Sequence, residues 1–407
     1  MKKRAILAFA MALGAGSSSL AATEITFLYG LGGPLGERVM EMVAAFNKAQ
    51  NDVVVRGEHA GNYDLVLTKT LAGIAAGQPA GDVLQLETSL FTRLAAAGHL
   101  QDLRTMPGFN NYYNSLWPVF RKMVSAADGG VYASPWNHSV PVLYCNNDLL
   151  AKAGVSAPPR TWPEMRDFAR KVKAATGVAA FQVPADPWPL EAAMLSQGQA
   201  MLAKGRLQVD SAAALNVIQL WQNIYRDGTV IKDTRDAAIG VEFAAGRLAC
   251  RFASVATRTE ILTQAKFKFT SYLLPLYRTA SATIGGAVVA IPKAVPAARQ
   301  QAAWKFVQWL NQPEQQITWL QKTYYLPVAR SLVETSAFKT FINSQPGMDA
   351  GYRQLTYAAP RPQSPNWPQV QPMINQALDD IYLKNADVKA TLKALADRTA
   401  PLFADIK

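Results

Sequence analysis

The sequence predicts an α/β protein of two lobes, each a mostly parallel sheet flanked by helices, with the chain crossing between lobes at hinge segments. Three observations predict it. Short β-type runs alternate with helical periodicities from residue 24 onward, which is the order of βαβ units. The chain has 407 residues, more than the roughly 250–300 that one hydrophobic core serves. Half of them, 50%, are apolar, enough for two cores.

The first residues read as a leader. Lys2, Lys3 and Arg4 precede an apolar stretch from Ala5 to about Gly16, and small residues follow from Ser17 to Ala22. That is the pattern of a secretory signal peptide over residues 1–22, cleaved after Ala21 or Ala22. The stretch is shorter than the roughly 20 residues that span a bilayer. No cysteine follows it to carry a lipid, so release into a periplasm is the expectation.

Glu24 to Tyr29 then alternates as a strand, and Gly30 to Gly33 breaks it. Val39, Val43 and Phe46 recur at helical spacing, with Pro34 as a helix-start residue. Val53 to Val55 make a second strand. Leu65, Leu67, Leu71 and Ile74 mark a helix ended by Gly77 and Pro79, and Asp82 to Leu86 is the next strand. A second set of units runs from about Tyr132 to Tyr272. In it, Pro141 to Asn146 is a strand and Trp162 to Ala175 a helix introduced by Thr161. The chain returns through the strand Ser281 to Pro292 and the helix Ala297 to Leu310, with Trp304, Val307 and Leu310 on one stripe. From Pro327 the pattern is largely helical, interrupted by an ordered Pro-rich loop, Pro360 to Pro368. The expected lobes are 23–133 with 277–325, and 134–276 with 326–407.

The formal charge is +12, or about +9 without the leader, and the 41 basic residues are scattered without runs. Nucleic-acid binding is not expected from that pattern. Only Cys145 and Cys250 occur. Both lie in apolar strand contexts, and two buried free thiols are expected, with a disulfide as the alternative an oxidising compartment permits. His59, His99 and His138 are far apart, so no metal site is expected. Neither Gly-x-Ser-x-Gly nor His-Glu-x-x-His occurs, and Gly30 to Gly36 fails as a phosphate loop because Leu35 stands where the third glycine belongs. No catalysis and no cofactor are expected. The enzyme alternative is a secreted hydrolase pairing Glu87 with Asp64 or Asp186, and a structural or adhesive protein is a third class.

Aromatic and small polar residues do gather in predicted turns: Tyr63, Trp136, Ser139, Trp188, Ser254, Gly286, Tyr325 and Trp367. Aromatic faces pack on C–H surfaces, and hydroxyls with a carboxylate such as Glu87 satisfy ligand hydroxyls. A small polar ligand of polyol or sugar type is the expected occupant.

Several runs carry a family resemblance. They are Gly61-Asn62-Tyr63, Leu84 to Glu87, Trp136 to Tyr144 with Asn146, Lys152-Ala153-Gly154, Pro159 to Trp162, Ile284 to Ala287, and Gln321 to Thr323 leading into Tyr325-Leu326-Pro327. On these the mature chain resembles the extracellular solute-binding proteins of the maltose-binding type, most of all their sn-glycerol-3-phosphate-binding branch. The resemblance implies the periplasmic-binding-protein fold. It also implies a monomeric receptor that delivers glycerol phosphate, a glycerophosphodiester or a sugar to the transmembrane subunits of an ABC permease. It further places ligand contacts at Tyr63, Glu87, Ser139, Trp188, Ser254, Gly286 and Tyr325. Glu87 would accept from glycerol hydroxyls and Trp188 would pack on the carbon chain. Ser139, Ser254, Tyr325 and the Gly286 amide would donate to phosphate oxygens. Two departures stand out. Ala185 replaces a second stacking tryptophan, and Gln363 stands where the branch has a phosphate-pairing arginine, with Arg361 two residues away as the substitute.

Overall fold

The structure, a computed structural model, describes residues 21–126, 128–231 and 236–404. The expected leader lies outside them apart from Ala21 and Ala22.

Strands β1 (Thr23–Tyr29), β2 (Val53–His59) and β3 (Val83–Glu87) alternate with the helices Gly33–Ala49 and Tyr63–Ala75. β1 runs parallel to β2 in full register, Thr23 opposite Val53 through Tyr29 opposite His59, and parallel to β3 at Phe27 and Leu28. Pro34 sits in the first turn of its helix, where a missing N–H costs nothing. Val39, Val43 and Phe46 are the face that helix buries.

The chain then supplies β4 (Ser134–Ser139) and β5 (Pro141–Asn146), separated only by the fully buried Val140. A small hairpin, β6 (Leu202–Ala203) with β7 (Arg206–Leu207), precedes β8 (Cys250–Ser254) and β9 (Phe269–Tyr272). β10 (Ala282–Ala290) and the short β11 (Ala358–Pro360) complete the set. One sheet has the order β11-β10-β3-β1-β2, with β4 also paired to β10, and another has the order β8-β5-β9. The expectation of mostly parallel sheets holds in the first sheet, where β1–β2, β1–β3 and β10–β11 are parallel, and needs correcting in the second. β10 lies antiparallel to β3 and β4, and β5 is antiparallel to both β8 and β9. Parallel contact in the second sheet region survives only as single bridges such as Ala179 with Leu248. The physical reason is connectivity. β4 runs into Val140 and β5 leaves it, one joining the first sheet and the other the second, and the strands that return to pair with them, β10 and β8, run the opposite way.

Ser134–Ser139, expected in the second lobe, therefore pairs in the first sheet, and the chain changes sheet at Val140. Leu326 touches the same crossing, its amide donating to the His138 carbonyl.

Two main cores flank the sheets, and β5 faces both, Val142 and Tyr144 on one and Leu143 and Cys145 on the other. Phe46 and Phe27 set their rings edge-on to Phe306 over the first sheet. Trp162 stacks on Phe252 beside Trp221 in the second. Trp367 is fully buried there, and Trp136 is buried against Trp319 in the first core. Neither belongs to a ligand surface, because their bulk fills the interior. The two cysteines are a second correction. Cys145 and Cys250 stand directly opposite on β5 and β8 with Cα atoms 4.1 Å apart, and they form a disulfide. Their separation of 105 residues hides a pairing that only sheet register creates. Among the described residues no helix is long and apolar enough to cross a membrane.

Candidate functional site

The expected site residues lie at element ends around the crossing between the sheets. Glu87 ends β3, Ser139 ends β4 and Ser254 ends β8. Tyr63 opens its helix after Asn62, whose side chain accepts the Leu65 amide. Trp188 lies in the first turn of the helix Pro187–Leu195, where the Asp186 carboxylate accepts its amide at 2.7 Å. Gly286 sits in β10 at a positive φ of 92°, and a β-carbon there would come within 2.0 Å of the Asn137 carbonyl oxygen. Only glycine allows that approach.

The structure links these positions to one another. The Thr88 amide donates to the Gly286 carbonyl. Trp188 donates its indole N–H to the Thr283 carbonyl at 2.9 Å, and its ring lies so close over Gly285 that a β-carbon there would meet it at 2.5 Å. Trp188 is partly buried, with its indole N–H held by Thr283. With Ser254, Gln182 and Asp186 it lines a cavity of about 240 Å³. A second cavity, of about 590 Å³, is lined by Glu191, Thr283, Arg361 and Gln363 among others. The Trp188–Thr283 bond links the walls of the two.

Arg361 is 6% exposed and gripped from two sides. Its Nε and Nη2 donate to Glu191 at 3.0–3.2 Å, and its Nη1 donates to Glu87 at 3.2 Å. Burial pushes the Glu191 carboxyl up, with the guanidinium pulling it back. Burial also works against the Arg361 charge, but Glu191 and Glu87 outweigh it and hold the guanidinium protonated. Gln363 donates to the carbonyls of Thr88 and Arg361, so its amide holds backbone together.

Glu87 is full. Its carboxylate accepts from the Thr88 hydroxyl, the Ser89 amide, the Ser89 hydroxyl and Arg361, and a carboxylate offers about four such places. A ligand hydroxyl donating there would have to displace one of them. The free hydrogen-bonding capacity in the site is instead mostly donor. Ser254 Oγ accepts the Ala256 amide and keeps its own proton for another partner. Ser139 has no side-chain partner among the described residues, although the residue is only 2% exposed. Tyr63 accepts from the Asn137 amide at 2.9 Å. Tyr325, stacked parallel to Trp319, lies beside Tyr63. Burial raises both phenols, so both keep their protons.

Sequence reasoning missed Glu191, Asn137 and Gln85 as members of this cluster. Glu191 had one signal, a single acid in the otherwise apolar helix Pro187–Leu195. Gln85 and Asn137 had only their place in the resemblance runs Leu84 to Glu87 and Trp136 to Tyr144, Gln85 within an expected strand and Asn137 among residues expected in turns.

Residues 41–350 match the family described as bacterial extracellular solute-binding protein. The sn-glycerol-3-phosphate-binding periplasmic protein UgpB of Pectobacterium atrosepticum is 27% identical, over 97% of this chain and 94% of that one. Its counterpart in Yersinia enterocolitica is 25% identical over 93% and 92%. Among solved structures, UgpB of Mycobacterium tuberculosis in complex with glycerophosphocholine superposes with a TM-score of 0.85 at 24% identity, covering 94% of this chain and 99% of that one. The GacH receptor of Streptomyces glaucescens, solved unliganded and with acarbose, gives 0.85 at 18% identity over 95% and 100%. The chain belongs to the bacterial extracellular solute-binding protein family.

Proposed function

We propose that this protein, the solute-binding component of an ABC importer, works in the periplasm and closes on a glycerophosphodiester, which it presents to the transmembrane permease subunits. The observation that carries the ligand class is the engagement of Arg361 with Glu191 and Glu87. A phosphomonoester dianion calls for a cation able to give it a bidentate grip, and the guanidinium here already has two carboxylate partners. A phosphodiester carries one charge and is served by neutral donors, which Ser139, Ser254, Tyr63 and Tyr325 provide. The face of Trp188, its N–H engaged elsewhere, suits the carbon chain. The relatives' names point to the same chemistry, glycerol phosphate in one and glycerophosphocholine in the other. A neutral sugar is the second reading, favoured by the same indole lining the cavity. It is disfavoured by the saturation of Glu87, because a sugar brings many hydroxyls in need of acceptors and a glycerophosphodiester only the two of its glycerol.

A thermal-shift and calorimetric panel of sn-glycerol-3-phosphate, glycerophosphocholine and maltose tests the proposal. Glycerophosphocholine at 100 times its Kd stabilises by about 2.7 kcal/mol. It is expected to bind at least about tenfold more tightly than glycerol-3-phosphate, which corresponds to about 1.4 kcal/mol, and to be recovered unchanged. Stabilisation by maltose alone overturns the ligand assignment, and cleaved ligand overturns the receptor role.

A further inference from the structure

We propose that Gln85 and Asn137 are positioning residues that fix the hydrogen-bond polarity of the site, so that the Tyr63–Tyr325 pair presents a donor to the ligand. The inference rests on the site assignment above and starts from two backbone amides. Gly30 and Leu31 donate to Gln85 Oε1 at 2.9 and 3.3 Å. A peptide N–H only donates, so the oxygen of the Gln85 amide must face them and its nitrogen must face away. That nitrogen donates to Asn137 Oδ1 at 2.9 Å, which in turn forces the Asn137 nitrogen outward. It donates to the Tyr63 hydroxyl at 2.9 Å.

Each step has one allowed direction, because amide nitrogens cannot accept. The Tyr63 oxygen therefore accepts from Asn137, and its proton must go elsewhere. Tyr325 stands beside it and is itself protonated. However the two phenols share protons between themselves, two hydroxyl hydrogens remain, and at most one is used within the pair. At least one points at the ligand. The pair reads an acceptor, such as a phosphoryl oxygen.

Gln85 and Asn137 are both fully buried. Asn137 lies in β4 at the crossing, and its backbone carbonyl packs on Gly286. The relay runs from the β1 turn through β3 and β4 to the helix that Tyr63 opens, and β10, paired with both β3 and β4, fixes the two strands that carry it.

Asn137→Asp reverses the last step. A carboxylate at this position takes the Tyr63 proton and turns the phenol into an acceptor towards the ligand. Folded Asn137→Asp, checked by circular dichroism and Tm, should bind glycerophosphocholine at least about tenfold more weakly at about pH 8. It should recover as the pH falls and the new carboxyl, once protonated, can donate as the amide did. Wild-type affinity should stay nearly flat over that range. Affinity unchanged at pH 8, or lost equally at every pH, overturns the relay. If this variant does not fold, Gln85→Met releases the Asn137 amide to flip and should cost about twofold to tenfold in affinity, and no loss overturns the proposal. If the wild-type protein binds none of the panel, the ligand assignment has failed but the relay is still decided. In unliganded protein labelled at tyrosine Cζ, the Tyr63 carbon signal should move in Asn137→Asp or Gln85→Met, and an unmoved signal overturns it.

Discussion

Replacing Arg361 with methionine removes the cation between Glu87 and Glu191. Breaking a buried ion pair by deleting one partner costs about 3–5 kcal/mol, because the remaining charge is left desolvated. Glu87 retains Thr88 and Ser89 as donors and its side chain is 15% exposed, whereas that of Glu191 is 1% exposed, so most of the cost falls on Glu191. At about 2.1 cal/mol/K per residue, a cooperative unit of roughly 385 residues loses about 1.2 °C per kcal/mol, so Tm should fall by about 4–6 °C. The sign of the pH dependence follows. Without the guanidinium, the native Glu191 pKa lies above its unfolded value of about 4.3, so the native state binds the extra proton. Stability of the variant then rises as pH falls through its native pKa, which lies above the value of about 7 that Glu191 holds beside the guanidinium, so the deficit against wild type shrinks as pH falls towards about 7 and is level below it. The double variant Arg361→Met with Glu191→Met, which replaces the pair by apolar groups, should recover to within about 1 kcal/mol of wild type. Differential scanning calorimetry reads all three. A drop below about 1 °C at pH 8, or a deficit that does not narrow on acidification, refutes the reasoning.

Four further outcomes are expected. Gly285→Ala places a methyl 2.5 Å from the Trp188 ring. It should displace the indole, shift its fluorescence and weaken glycerophosphocholine binding about tenfold at a stability cost of about 1–3 kcal/mol, and unchanged affinity would contradict the seating of Trp188. Cys145→Ala with Cys250→Ala opens a bridge between residues 105 apart and should lose up to about 4–5 kcal/mol in urea titration by the chain-entropy account; an unmoved midpoint argues against the bond. Burial holds the His138 imidazole down to about 3 while its ring stacks on Phe120. The native state resists protonation there, so stability is lost as pH falls below the unfolded value near 6.5, by at most about 4–5 kcal/mol near pH 3. His138→Phe should flatten that slope, and a variant with wild-type acid sensitivity would rule His138 out as its source. Gln363→Arg should improve glycerol-3-phosphate binding relative to glycerophosphocholine by at least about tenfold, as calorimetry would show; no change in the ratio would mean that position 363 does not read ligand charge.

Local order was legible in the sequence wherever periodicity and punctuation agree. The β1 strand, the helix opened by Pro34, the strand Pro141–Asn146 and the helix Ala297–Leu310 stand where their patterns place them. The reason is that a buried face imposes a period of 2 or 3.6 on the residues themselves. Tyr63, Glu87, Ser139, Trp188, Ser254, Gly286 and Tyr325 were singled out through resemblance, because motif runs keep element ends recognisable, and as a ligand site they remain a proposal.

Tertiary structure alone decided what those residues are free to do. Whether strands run parallel or antiparallel depends on where the chain crosses at Val140, and no local pattern encodes it. The Cys145–Cys250 bond exists because β5 and β8 align in one register. Trp136 and Trp367 carry the same chemistry as Trp188, yet they fill cores because packing surrounds them on every side. Arg361 reads in sequence as a spare cation beside Gln363. It becomes a neutralised one only when folding brings Glu87 and Glu191 to it from 274 and 170 residues away. A side chain's type sets which bonds it can make, and its neighbours in space determine which of them are already made.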